Sequence, residues 1–137
     1  MGDRRIDVFF YGLFMDAEVL RKAGVEPINV RRASVPHFAL RIGQRATLVA
    51  FAGARAHGML MSLSQEDLKR LYSPPGLETY HPEALLAQTE DRGWVPALCY
   101  NPIEVPGPEE RNPDYAARLQ KVLRKLKFPP DYIASLD

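Results

Sequence analysis

The sequence predicts an α+β domain: a mainly antiparallel sheet, curled toward a small barrel, with short helices between and after its strands. Three observations carry that expectation. About six segments are rich in β-branched and aromatic residues and are bounded by turn residues. Short stretches between them open on polar capping residues, as helices do. One longer amphipathic stretch begins at Pro113, near the end of the chain.

The elements follow in order. Residues 6–11 (IDVFFY) are largely apolar and read as a well-buried strand. Asp16 then suits a helix N-cap, with Met15 and Leu20 at the spacing of a hydrophobic staple. A short helix is expected over 17–23, with Arg21 and Lys22 near its negative end and Gly24 as its stop. Residues 30–40, 46–51 and 56–63 read as strands, with Gly53 marking a turn between the last two. Ser64 opens a capping-box-like start, and that helix runs to about Tyr72, before Pro74 and Pro75. Residues 83–89 and 94–100 form a hairpin joined through 90–93. Asn112 caps the last long helix, Pro113 takes its first position, and Tyr115, Leu119, Val122 and Leu126 form its apolar stripe. Pro129 and Pro130 end it, and residues 131–136 allow one more turn.

Composition narrows the function classes. At 137 residues the chain fits a single domain, 1–137. Eighteen Lys and Arg against seventeen Asp and Glu leave a net charge of +1, which argues against a dedicated nucleic-acid partner. No apolar run approaches the ~18 residues of a membrane span, and the first ten residues mix charges into their apolar positions, unlike a secretory leader. A single cysteine, Cys99, forms no internal disulfide. The expectation is a soluble cytoplasmic protein without a membrane or nucleic-acid partner. Twelve prolines, scattered singly and in pairs, punctuate turns rather than build a linker.

Familiar catalytic patterns are missing from the sequence. His37, His57 and His81 lie in separate segments with no second cysteine, so no metal site is expected. His57 beside Gly58 reads as a structural imidazole. Cys99 lies in an apolar strand, where a thiol is inert packing. There is no nucleophile elbow, P-loop or dinucleotide fingerprint, and no cofactor is expected. The basic residues Arg118, Lys121, Arg124, Lys125 and Lys127 crowd the C-terminal end of an amphipathic helix, where they offset its dipole.

What remains is the junction of Phe10, Tyr11, Gly12, Leu13, Phe14 and Met15, between strand and helix. Free backbone N–H groups converge at such a turn and can hold a carboxylate, while glycine allows a ligand to approach the backbone. An ordinary βα turn anchored by its apolar residues reads the same way.

The motifs, in order, resemble the γ-glutamylcyclotransferase-like (AIG2-like) family. Phe10-Tyr11-Gly12 resembles its Y-G-S-N or Y-G-T-L opening, although Leu13 and Phe14 replace the small polar residues. The stretch from His57 through Gly58 to Leu63, then Asp67, Leu68 and Leu71, is similar to its V-x-G-x-x-Y-x-L and D-L-x-x-L-D segments. Pro113-Asp114-Tyr115 and Phe128-Pro129-Pro130-Asp131-Tyr132-Ile133 resemble its ending. The resemblance implies the family barrel and a substrate-binding turn at Tyr11, Gly12, Leu13, Phe14 and Met15. It further implies release of 5-oxoproline from a small γ-glutamyl amine or peptide. The family's base is a glutamate in an L-D-x-x-E-G pattern. Here Tyr72 stands at its aspartate and Pro75 at its glutamate. Glu78 is the nearest carboxylate and the candidate base, Glu83 a second choice, and Tyr80 resembles the tyrosine that follows the family's glutamate. The other reading is a catalytically inactive relative that binds a small ligand or a protein partner through the same pocket.

Overall fold

Five strands close into a barrel in the order β1-β3-β2-β4-β5: β1 Arg5–Phe10, β2 Ile28–Ile42, β3 Ala46–Ser64, β4 His81–Thr89 and β5 Trp94–Asn101. The computed structural model describes residues 4–75, 77, 79–103, 105–107 and 109–136. Neighbouring strands pair antiparallel except β1 and β5, which meet in parallel at Val8 and Leu98 and seal the barrel. The fold is α+β, as the sequence predicts.

The strands expected at 46–51 and 56–63 are one continuous strand. The expected turn at Gly53 lies inside β3, which runs nineteen residues and pairs along most of β2. Gly53 has φ +85°, and His37 across from it has φ +66°, where the register shifts between Pro36 and Phe38. The Gly53 N–H donates to His37 Nδ1 at 3.3 Å. Two left-handed residues facing each other make a bulge, which bends a ladder without ending it.

A five-stranded barrel has little room inside. Small side chains (Ala33, Ala56, Ala87, Ala97 and Cys99) line it around the larger Phe9, Tyr11, Val35, Leu48 and Leu60. The larger core lies outside the barrel, where Val8, Phe10, Met59, Met61 and Leu63 meet the helices. Those helices are α1 Ala17–Lys22, α2 Gln65–Leu71, α3 Pro113–Lys125 and α4 Pro130–Ala134. Each of the first three is capped as its sequence predicts. Asp16 accepts from the Glu18 N–H at 3.0 Å, Ser64 from Asp67 at 3.1 Å, and Asn112 from Tyr115 at 3.1 Å. The stripe of α3 is turned slightly from expectation. Ala116, Leu119 and Leu123 are fully covered, while Tyr115, Val122 and Leu126 flank them half-buried. That rotation leaves the Tyr115 hydroxyl pointing to the end of β1.

Candidate functional site

The end of β1 sets the site. Alternation along the strand sends Phe9 and Tyr11 into the barrel and Phe10 toward the helices. At Gly12 the chain leaves the sheet for a single 3-10 turn, Leu13–Met15, in which the Met15 N–H donates to the Gly12 carbonyl at 3.0 Å. Gly12 has φ −114°, so its backbone does not demand glycine. Its surroundings do: a Cβ there would stand 2.9 Å from the Tyr115 hydroxyl.

A cavity of about 190 Å³ opens on this turn, and Tyr11, Gly12, Leu13 and Phe14 all line it. Met15 does not; its side chain is fully buried in the helix-facing core and anchors the turn from behind. Distant segments complete the wall with Arg45, Tyr72, Leu77, Tyr80, Tyr100 and Tyr115. The Tyr72 and Tyr100 rings stack at 4.5 Å, Tyr80 lies 5.6 Å from Tyr72, and Phe14 meets Tyr72 edge-on at 5.9 Å. The Arg45 guanidinium lies over the Tyr80 ring at 5.7 Å. A larger groove, about 630 Å³, runs between the far half of the β2–β3 hairpin and α3, but it does not reach the turn.

Burial raises every phenol of this wall. The Tyr11 and Tyr72 hydroxyls are pushed well above their ordinary value by desolvation, with neighbouring phenols adding to it. Tyr80 is raised by burial although Arg45 pulls it down, and Tyr100 by burial alone. Tyr115 is also raised by burial, against the Leu13 and Ala46 amides that favour its anion. At neutral pH all of them are proton donors and not bases.

Besides Tyr80, whose hydroxyl meets Arg45, the hydroxyls of Tyr11 and Tyr115 have partners in the scaffold. Tyr11 donates to Asn101 Oδ1 at 2.7 Å, with the Tyr100 and Ala46 carbonyls at 3.0 and 3.3 Å. Asn101 is almost fully buried; its Oδ1 also takes the Leu48 N–H, and its amide donates to Glu83 Oε1 at 2.7 Å. Tyr11 therefore presents its ring to the cavity and spends its hydroxyl on the scaffold. Tyr115 sits with its oxygen against the amides of the Gly12 turn and Ala46. An incoming carboxylate can exchange with that oxygen as acceptor, and the tyrosine O–H can then donate to it.

Glu78, the candidate base, lies outside the described residues. Leu77 and Tyr80 line the cavity, Pro75 is exposed, and Glu83 is tied to Asn101 and to His81 Nε2 at 3.4 Å. Among the described lining residues there is no carboxylate and no imidazole, and Arg45 is the charged one. Cys99 is inside the barrel, its thiol pushed up to about 12 by burial and the Glu83 charge. Among the described residues no three His, Cys, Asp or Glu side chains gather as metal ligands, and no helix is long and apolar enough to cross a membrane. The sequence reading missed Asn101, one residue past the expected strand; the signal that could have found it is the alternation Ala97, Cys99, Asn101, which puts a polar residue at a position facing the barrel. Arg45 gave no such signal.

The architecture is a closed five-stranded barrel with short helices and a cavity on the turn that follows β1. The family model described as gamma-glutamyl cyclotransferase, AIG2-like, matches residues 8–117, and the chain belongs to that family. No curated protein matches it by sequence. Among solved structures it is similar to a gamma-glutamyl cyclotransferase, with a TM-score of 0.76 and 16% identity over 97% of this chain and 86% of that one. An uncharacterized Homo sapiens protein gives 0.74 and 18% over 96% and 86%. YkqA from Bacillus subtilis gives 0.71 and 23% over 97% of this chain but 53% of its own. At these identities the neighbours speak for the fold.

Proposed function

We propose that the cavity takes a small γ-glutamyl compound and that the protein closes it to 5-oxoproline, releasing the amine. The observation that carries this reading is the cavity on the Gly12 turn, lined by Tyr11, Gly12, Leu13 and Phe14, in a member of this family. The substrate's α-amine nitrogen attacks its own γ-carbonyl carbon, the amide C–N bond breaks, and the departing amine takes a proton. Holding the folded conformer contributes up to ~7–11 kcal/mol in principle. The turn amides and the Tyr115 hydroxyl suit the α-carboxylate. Neutral phenols of the wall other than Tyr11 are donors for the oxyanion that develops at the carbonyl. Glu78, two residues before Tyr80, takes the ammonium proton in this reading.

A specific observation favours a second reading, a catalytically inactive relative that binds its ligand or a protein partner. None of the described lining groups is a base at neutral pH. One experiment separates the two: 5-oxoproline release, followed by mass spectrometry, from γ-glutamyl amino acids, γ-glutamyl amines and glutathione, for the native protein and Glu78→Gln. The proposal expects turnover that falls at least ~100-fold in the variant, the range of a lost general base. Undiminished turnover removes Glu78 from the mechanism. Ligand binding without any turnover selects the second reading.

A further inference from the structure

Beside the cavity lies a second hollow, a trough of about 600 Å³. Arg45 and Tyr80 line both, so they stand at the boundary. On the reading above, the Gly12 turn holds the glutamyl half of the substrate. The scissile amide then points outward, and whatever the amine carries lies beyond Arg45 and Tyr80. The trough offers two chemistries there. One is the positive charge of Arg45, whose guanidinium is held over the Tyr80 ring and bonded to its hydroxyl. A guanidinium has five N–H donors in a planar fork and serves more than one acceptor at once. The other is apolar surface: Ile103 is 65% exposed and Val105 56% exposed, and both line the trough. Glu110 also lines the trough, with its Oε1 taking the Gly107 N–H at 3.1 Å; its charge disfavours a carboxylate at that end. A ligand with one carboxylate beside its nitrogen and an apolar side chain beyond it satisfies this layout. That ligand is an apolar α-amino acid.

We propose that the trough is the subsite for the leaving amine and that Arg45 selects amines bearing an α-carboxylate, so that γ-glutamyl derivatives of apolar amino acids are preferred over γ-glutamyl alkylamines. The inference rests on the γ-glutamyl reading for its ligand class. The test compares γ-glutamyl-leucine with γ-glutamyl-isoamylamine, which differ by that carboxylate alone, in the native protein, Arg45→Gln and Arg45→Lys. Preference is the ratio of kcat/KM where 5-oxoproline forms and of Kd, by calorimetry, where it does not. The native protein is expected to prefer γ-glutamyl-leucine at least ~10-fold, the scale of a charge-assisted hydrogen bond. Arg45→Gln brings the ratio between the two ligands close to one, and Arg45→Lys keeps part of the preference. Equal losses on both ligands place Arg45 against the glutamyl half and overturn the assignment. So does a native protein without preference, or one that binds neither compound. Carboxylate-dependent binding without 5-oxoproline leaves the subsite standing and overturns the cyclisation instead.

Discussion

Gly12 and Tyr115 are a matched pair, one residue small because the other reaches it. The 2.9 Å between a hypothetical Gly12 Cβ and the Tyr115 hydroxyl is shorter than carbon and oxygen tolerate, and Tyr115, on α3, is packed against the helix-facing core. Gly12→Ala therefore strains the turn without any backbone penalty, because φ −114° suits alanine. The expected cost is about 1–3 kcal/mol, the range of core overpacking. Thermal unfolding reads it, and ligand binding falls with it because the turn moves. Tyr115→Phe in the same chain removes the colliding oxygen and restores most of the midpoint. If the double variant unfolds no later than Gly12→Ala, the clash is not the reason glycine stands there. The same pair shows where residue-level reading of the sequence stopped. Tyr11 and Gly12 were legible as a turn, and Tyr115 as part of an apolar stripe. Nothing in the spacing put its hydroxyl on residues a hundred positions away.

At the level of elements, caps and strand edges were legible because they depend on neighbours in sequence. Asp16, Ser64 and Asn112 cap where local pattern says they should. Gly53 misled because a left-handed glycine serves a turn and a bulge equally well, and the choice is made by His37 on another strand. Gly58 is the stricter glycine. A Cβ there would run into the Phe10 carbonyl, which is backbone, and would stand 2.8 Å from Cζ of Phe9. Phe10 pairs with Met59 and Phe9 with Leu60, so the collision sits in the ladder that ties β1 to β3. Neither side can yield without opening that ladder, and β1 carries the site at its end. Gly58→Ala is expected to cost more than ~3 kcal/mol, above the usual overpacking range. That lowers the midpoint by roughly 10 °C for a domain of this size. A loss under about 1 kcal/mol in a denaturant titration would show that β1 can shift past the methyl group.

The whole molecule brings together what the chain keeps apart. Tyr11, Arg45, Tyr72, Tyr100 and Tyr115 come from five segments and meet only when the barrel closes, so no window of sequence reveals the aromatic wall. Closure also decides how the fold responds to acid. His57, midway along β3, packs its ring on Tyr132 of α4 at 4.6 Å and on Phe128 at 6.4 Å, while the Tyr132 hydroxyl reaches the His57 carbonyl at 3.5 Å. The C-terminal helix is thus clamped to the barrel through an imidazole. Burial lowers the pKa of that imidazole first, and the Arg55 charge lowers it further. Arg32, Glu90 and Lys127 border the same hollow, with Arg32 and Glu90 paired at 3.3 Å. In the unfolded chain the imidazole recovers a value near 6.5. The unfolded state therefore binds the proton at a pH where the folded state does not, and stability must fall as pH falls. The contribution is complete above about 6.5, is lost below it, and levels off once the folded imidazole also titrates. His57→Phe keeps a ring against Tyr132 and removes the titration. The native midpoint is expected to drop between about pH 7 and about pH 5, and the variant's to drop less over the same range. Parallel curves would mean that α4 is not held through a neutral His57, and that acid acts on the fold somewhere else.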